Sequence, residues 1–324
     1  MKPHISISLG KLRRLRRCAT ATGRFVIVAA DHRQNLRSAL QPNGPDRMDY
    51  SVFADFKRAV ARALSPAASA ILVDPEFGLG ESVRAGALMP RTGLMVSLEE
   101  TGYGGTGQDR SSRLLVGWTV EKAARIGADA VKLLVYYHPR AASAHAQQDL
   151  VKQVSESCLR LEMPLFLETI SYSPEDGSPL SSNQKRDAVV ETARQLSSLG
   201  ADVLKAEFPI NPVEQPDETV WESACRELTD SSTIPWVLLS AGVSFETFLR
   251  QTALACDAGA SGVMAGRAIW AEATRLVGGD RDTFLSTIAI NRLGALEEAV
   301  EAAASPWTDV VEAQPVEERW YATY

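Results

Sequence analysis

Short runs that are apolar at consecutive positions alternate along the chain with longer segments whose apolar residues recur at helical spacing. Eight runs stand out: Arg24–Asp31, Ser69–Glu76, Gly93–Glu100, Asp129–Tyr137, Pro164–Ser171, Asp202–Pro209, Pro235–Gly242 and Ser261–Ala268. Each reads as a strand buried on both faces, as parallel sheets require. Between them, "DYSVFADFKRAVARALS", "WTVEKAARIG", "QKRDAVVETARQLSSLG" and "SFETFLRQTALACDAG" read as amphipathic helices. Eight such units in about 250 residues predict an α/β fold with a closed (β/α)8 barrel. The triplets "GAD", "GAD" and "GAS" at Gly127, Gly200 and Gly259 mark the same helix-to-strand turn three times. A doubly wound open sheet is the alternative, and no GxGxxG follows the first strand to favour it. No linker or low-complexity stretch divides the chain. The expectation is one domain over residues 1–324, with an N-terminal helix, a barrel core over about 22–300 and a C-terminal extension with a tail at 305–324.

Composition narrows the class of function. The chain has 324 residues, 45% hydrophobic and 23% charged, with net charge −6. A mildly acidic balance argues against nucleic acid or a membrane as the main partner. No apolar run approaches the roughly 20 residues needed to span a bilayer, and "MKPHISISLG" lacks the apolar core of a signal peptide. The four cysteines, Cys18, Cys158, Cys225 and Cys256, lie far apart without a CxxC pair. Reduced thiols in a cytoplasmic protein are expected. The basic cluster "KLRRLRR", Lys11–Arg17, reads as a short amphipathic helix with a solvated face, a nuclear-localisation or anion patch being the alternative.

Barrel chemistry sits at the C-terminal ends of the strands. The polar residues there are Asp31, Asp74, Glu99, Lys132, Glu168, Lys205, Glu207, Ser240 and Arg267. "GADAVKLLVYY" and "GADVLKAEFP" each place a lysine inside an apolar strand, and alternation puts Lys205 and Glu207 on one face. Unpaired charge in a barrel interior is costly, so two lysines converging with a carboxylate point to function. The loops "LSAGVS" and "AGRA" after the last two strands carry small residues ahead of helix starts, which suits phosphate oxygens. Arg267 can add a charged contact. The four histidines (His4, His32, His138, His145) show no HxH or HExxH spacing, so no metal ligand is assigned, a carboxylate-only Mg²⁺ site at Asp31 or Asp74 being the alternative. Carbon–carbon bond chemistry without a metal needs another electron sink, which a lysine Schiff base supplies. No cofactor is expected.

From about Thr22 to Ala271 the chain resembles the tagatose-1,6-bisphosphate aldolase family of class I, Schiff-base aldolases. The segments that carry the resemblance are "ALSPAASAILVDPEFGL", "EETGY", "GADAVKLLVYY", "FLETISY", "DVLKAEFP", "LSAGVS" and "GVMAGRAIW", in family order. Sulfofructose-1-phosphate aldolases are similar too, chiefly in the first of these. The resemblance implies that Lys205 forms the iminium, that Glu168 is the acid/base group, and that Lys132 lies beside the reacting centre. It further implies substrate contacts at Asp31, His32, Ser240, Gly242, Gly266 and Arg267. Relatives commonly read Asp-Gln-Arg where this chain has "DHRQN", Asp31–Asn35, so His32 replaces a substrate-facing glutamine.

An ordinary lysine, with pKa near ~10.4, is protonated at neutral pH and cannot attack a carbonyl. Desolvation and the second ammonium of Lys132 are expected to push Lys205 down. The expected reaction is reversible cleavage of a ketose phosphate such as tagatose 1,6-bisphosphate to dihydroxyacetone phosphate and glyceraldehyde 3-phosphate. A sulfofructose-1-phosphate-type aldolase, an isomerase or decarboxylase using Lys132 as a general acid, and a non-catalytic sugar-phosphate-binding barrel are the other readings. A small sugar phosphate is the expected partner, and a homo-oligomer the expected assembly. The aromatic tail Glu318–Tyr324 is left to pack on its own barrel or on a partner subunit.

Overall fold

The computed structural model describes residues 4–42, 49–101, 110–322 and 324. Gly102 and Tyr103 of the "EETGY" segment and Thr323 of the tail lie outside them. A short strand, β1 (Ile5–Ile7), precedes the helix Leu9–Cys18. The eight runs then form β2 (Phe25–Ala30), β3 (Ala70–Val73), β4 (Gly93–Ser97), β5 (Ala130–Tyr136), β6 (Leu165–Ile170), β7 (Val203–Ala206), β8 (Trp236–Leu239) and β9 (Gly262–Ala265). They close into one barrel in chain order, every neighbouring pair parallel and β9 paired back to β2. The (β/α)8 expectation holds, and the open sheet is excluded by the β2–β9 ladder.

Alternation along each strand divides the core into two layers. Val26, Val28 and Ala30 of β2 face outward into the layer shared with the helices. Phe25, Ile27 and Ala29 face inward with Ala70, Leu72, Met95, Ala130, Phe166, Val203, Val237 and Met264. The helices present matching stripes: Tyr50–Leu64 buries Phe53, Phe56, Val60 and Leu64. Lys57 stands in that same stripe, fully buried, ion-paired with Asp74 and donating to Ala30 O at 2.7 Å and His32 O at 2.6 Å. Asp74 is therefore a structural anion beneath the first loop and not a candidate Mg²⁺ ligand at the mouth.

At the far end of the barrel the basic cluster forms the expected amphipathic helix, with Arg13 and Arg16 exposed. The helix Leu9–Cys18 inserts Leu15 and Cys18 into the inner layer, together with Trp307 and Val311 from the C-terminal segment. Three of its five cations meet the barrel floor. Lys11 Nζ binds both oxygens of Asp202 at 2.8 Å, Arg14 donates to Ala128 O at 2.6 Å, and Arg17 donates to Pro90 O at 2.8 Å and stands 3.7 Å from Asp129. The aspartates of the two "GAD" turns thus each do two jobs, since Asp129 also accepts from Leu94 N–H at 3.0 Å and Asp202 from Leu165 N–H at 2.8 Å. The helix end packs so closely that a Cβ on Gly93 would lie 2.6 Å from Arg17 O. A last strand, β10 (Val311–Ala313), pairs in parallel with β1 and completes this seal. The tail returns to its own chain: Tyr324 Oη accepts from Gly10 N–H at 3.0 Å and donates to Glu162. Among the described residues no helix is long and apolar enough to cross a membrane.

Burial pushes the Asp202 carboxyl up even against the pull of Lys11, a sign of how much desolvation this pair carries. Lys11→Met should therefore lower the unfolding free energy by about 3–5 kcal/mol, the cost of leaving a buried charge unpaired. Denaturant titration checks this. Turnover of folded protein should be unchanged, because the pair lies at the end of the barrel opposite the catalytic mouth.

Candidate active site

On the inner face the residue pattern changes from apolar to charged at one level. Above Ala130 comes Lys132, above Phe166 comes Glu168, and above Val203 comes Lys205. Register places Glu168 directly beside Lys205 and beside Leu134, two residues above Lys132. The three side chains therefore converge without any loop rearrangement. Glu168 Oε2 lies 2.9 Å from Lys205 Nζ and 3.1 Å from Lys132 Nζ. Lys132 Nζ also meets Asp31 Oδ2 at 2.7 Å and Glu99 Oε1 at 2.6 Å.

These groups form the floor of a cavity of about 460 Å³, whose walls include His32, Arg33, Thr101, Tyr136, Glu207, Ser240, Gly266 and Arg267. Of the residues expected at the site, Lys132, Glu168, Lys205, Asp31, His32, Ser240, Gly266 and Arg267 all line it. Gly242 stands behind Arg267. Its φ is +77°, and a Cβ there would sit 3.1 Å from the guanidinium carbon. Ala241 is also left-handed, at φ +47°, so the β8 loop turns sharply beside Arg267. Ser240 Oγ accepts from Gly266 N–H at 3.3 Å and ties this loop to the next. Arg267 Nε is buried without a hydrogen-bond partner.

His32 packs edge-on against Trp270, ring centroids 5.2 Å apart. A Cβ on Gly266 would lie 2.6 Å from His32 Cε1, so only glycine leaves room for the ring. Its Nδ1 is buried without a hydrogen-bond partner and lies 3.8 Å from Asp31. Burial, outweighing the attraction of Asp31 and aided by Arg267 and Lys205, pulls the imidazole down to about 3. It is neutral at physiological pH and can offer a hydrogen bond but no charge. Burial alone would raise Asp31 and Glu168, but Lys132 and Lys205 outweigh it and hold both carboxyls below their usual range. Glu207 turns partly away: its Oε2 accepts from Ser171 N–H and Oγ, each at 2.6 Å, and Lys185 stands 3.8 Å from Oε1. Among the described residues, no group of three His, Cys, Asp or Glu side chains is arranged to hold a metal ion.

Two lysines share one buried carboxylate at the mouth of the barrel, and comparison with known proteins shows the family. A family model described as DeoC/LacD family aldolase matches residues 25–272. The chain belongs to the DeoC/LacD aldolase family. Tagatose 1,6-diphosphate aldolase 2 of Enterococcus faecalis is 31% identical across 94% of this chain and 97% of its own length. Tagatose 1,6-diphosphate aldolase 1 of Streptococcus pyogenes is 32% identical across 88% of this chain and 93% of its own. In fold, a Schiff-base-forming fructose-1,6-bisphosphate aldolase matches with a TM-score of 0.60 at 19% identity, covering 90% of this chain and 99% of that one. The fructose-bisphosphate aldolase of Plasmodium falciparum matches with a TM-score of 0.68 at 13% identity, covering 94% and 99%. As an aldolase, the protein is a lyase acting on a carbon–carbon bond.

Two residues of the aldolase's site went unassigned in the sequence. Glu99 falls at a strand end without a motif to mark it, and Arg33 lies inside "DHRQN". Arg33 is buried, with Nη1 2.5 Å from Glu76 and Nη2 donating to Glu99 O at 2.7 Å.

The depressed carboxyls define a stability profile. A folded value below the unfolded one, near ~4 for a carboxyl, means that the ionised form stabilises the fold above that pH. The contribution is lost as pH falls through the depressed folded value. The difference in unfolding free energy between the wild type and Asp31→Asn should therefore be flat from about pH 8 to pH 5 and shrink below about pH 4. Denaturant titrations across that range check it.

Proposed function

We propose that the protein is a class I aldolase. It reversibly cleaves a ketose bisphosphate such as tagatose 1,6-bisphosphate to dihydroxyacetone phosphate and glyceraldehyde 3-phosphate, with Lys205 as the Schiff-base lysine. The observation that carries the reading is the single buried oxygen, Glu168 Oε2, within reach of both ammonium groups. A lysine must give up a proton before it can attack, and Glu168 is placed to take it from Lys205. Lys205 Nζ then bonds to C2 of the ketose, the carbonyl oxygen leaves as water with one proton from the Lys205 amine and the one that Glu168 returns, and the iminium accepts the electron pair as the C3–C4 bond breaks. Glu168 accepts the C4 hydroxyl proton. Lys132, bound by carboxylates, remains a fixed positive charge beside the departing oxygen.

The two named relatives support the choice of substrate. Arg267 beside the tight Ser240–Gly242 turn suits a phosphate, because the guanidinium has an unused donor. His32 and Asp31 face the sugar hydroxyls from β2. A reduced cytoplasmic setting fits four buried free cysteines.

Borohydride added with dihydroxyacetone phosphate should leave an adduct that peptide mapping places on Lys205, and Lys205→Ala should abolish both adduct and cleavage. No adduct on the wild type would exclude the Schiff base. Arg267→Ala should raise KM for the bisphosphate by the equivalent of roughly 1.5–3 kcal/mol, with kcat less affected. An unchanged KM would place the phosphate elsewhere.

A further inference from the structure

Lys132 and Lys205 stand on the same inner face, Lys132 two residues lower in register, but their partners differ. The Lys132 ammonium meets three carboxylates, Asp31, Glu99 and Glu168, at 2.7, 2.6 and 3.1 Å. An ammonium has three N–H donors, so each finds an anion. Among the described residues Lys205 is ion-paired with Glu168 alone. Asp31 and Glu168 face the cavity and both lysines feel them. Asp31 and Glu99 both contact Lys132 and not Lys205 among the described residues, and of the two Asp31 also lies in the field of Lys205.

Glu99 is also the most firmly held of the three. It is 1% exposed. Its backbone bridges to Leu114, and Glu100 N–H donates to Arg113 O at 2.9 Å. Its second carboxylate oxygen accepts from Leu134 N–H at 3.1 Å. Arg33 braces it from behind, with Nη2 on its carbonyl and 3.6 Å from Oε1. Arg33 in turn is pinned by Glu76, whose side chain is 31% exposed. Alternating charges thus run from the surface to the reacting amine: Glu76, Arg33, Glu99, Lys132, Glu168, Lys205.

We propose that Glu99, braced by Arg33 and Glu76, is a positioning residue that divides the work between the two lysines. Its carboxylate completes the shell of Lys132 and fixes that residue as an ammonium, leaving Lys205 as the amine that attacks. Charge-assisted bonds to three anions hold the Lys132 protons firmly, so its lone pair stays unavailable. The groups facing Lys132 are Asp31 from β2, Glu99 beyond β4, Glu168 from β6 and Lys205 from β7. Behind them stand Arg33 and the neutral His32. Neutralising Glu99 removes a carboxylate from Lys132 and leaves the Lys205–Glu168 contact in place.

The inference rests on the Schiff-base reading, and the wild-type adduct tests that reading separately. Glu99→Gln keeps the shape and removes the charge. With dihydroxyacetone phosphate and borohydride, the adduct, confined to Lys205 in the wild type, should appear on the Lys132 peptide as well. The Lys132 share should grow from roughly pH 7 to pH 9 as its proton is released. Lys205→Ala with Glu99→Gln should regain trapping, on Lys132, that Lys205→Ala alone lacks. Glu99→Asp should keep the adduct on Lys205. Glu76→Gln, at the solvent end, should move the partition in the same direction by less, and it serves as the readout if Glu99→Gln does not fold. An adduct confined to Lys205 at every pH in Glu99→Gln, or in Glu76→Gln where that variant must stand in, would overturn the proposal.

Discussion

Two ammonium groups held on one carboxylate inside a closed barrel constrain nearly everything around them. The barrel interior offers little water, so each buried charge must find an opposite one or carry a desolvation cost of several kcal/mol. Glu168 can serve both lysines only because Asp31 and Glu99 take the remaining donors of Lys132. Arg33 then balances Glu99, and Lys57 balances Asp74. The charges at the mouth form a linked set in which removing one member leaves its neighbours uncompensated. That coupling fits a site that must hold one lysine charged and release a proton from the other.

The fold delivers this arrangement through register more than through loops. Lys205 and Glu168 are cross-strand neighbours, and Lys132 lies one step lower on the next strand. Strand pairing fixes such positions more tightly than a loop does, which suits reacting groups that must meet within hydrogen-bond distance. The opposite end is closed by a different device, a basic helix whose cations cap the floors of β5 and β7. One barrel thus carries ionic networks at both ends, with an apolar layer centred on Phe166 between them. The lower network is structural, and the upper one frames the cavity.

Much of this was legible in the residue pattern. Eight apolar runs became eight strands, because a strand buried on both faces must be apolar throughout and leaves an unmistakable signature. The lysines at positions 132 and 205 were conspicuous for the same reason, as interruptions of that signature. In the basic cluster Lys11–Arg17, periodicity predicts the solvated face kept by Arg13 and Arg16 but not that Lys11, Arg14 and Arg17 meet the barrel floor. Lys57 was equally hidden: in "DFKRAV" it looks like one charge among several, and only packing reveals that it stands in the buried stripe. Arg33 and Glu99 escaped assignment because ion pairing between residues 66 positions apart depends on how two loops meet.

The sequence by itself determined the barrel, its order of strands, the two interior lysines with Glu168, and the small-residue loops beside Arg267. All of these follow from local periodicity, which the chain carries residue by residue. Tertiary structure alone decided which carboxylate serves which lysine, that Asp74 is spent on Lys57, and that the first and last strands join beneath the barrel. These outcomes depend on closure, since the distance between side chains on different strands exists only after the barrel has closed on itself.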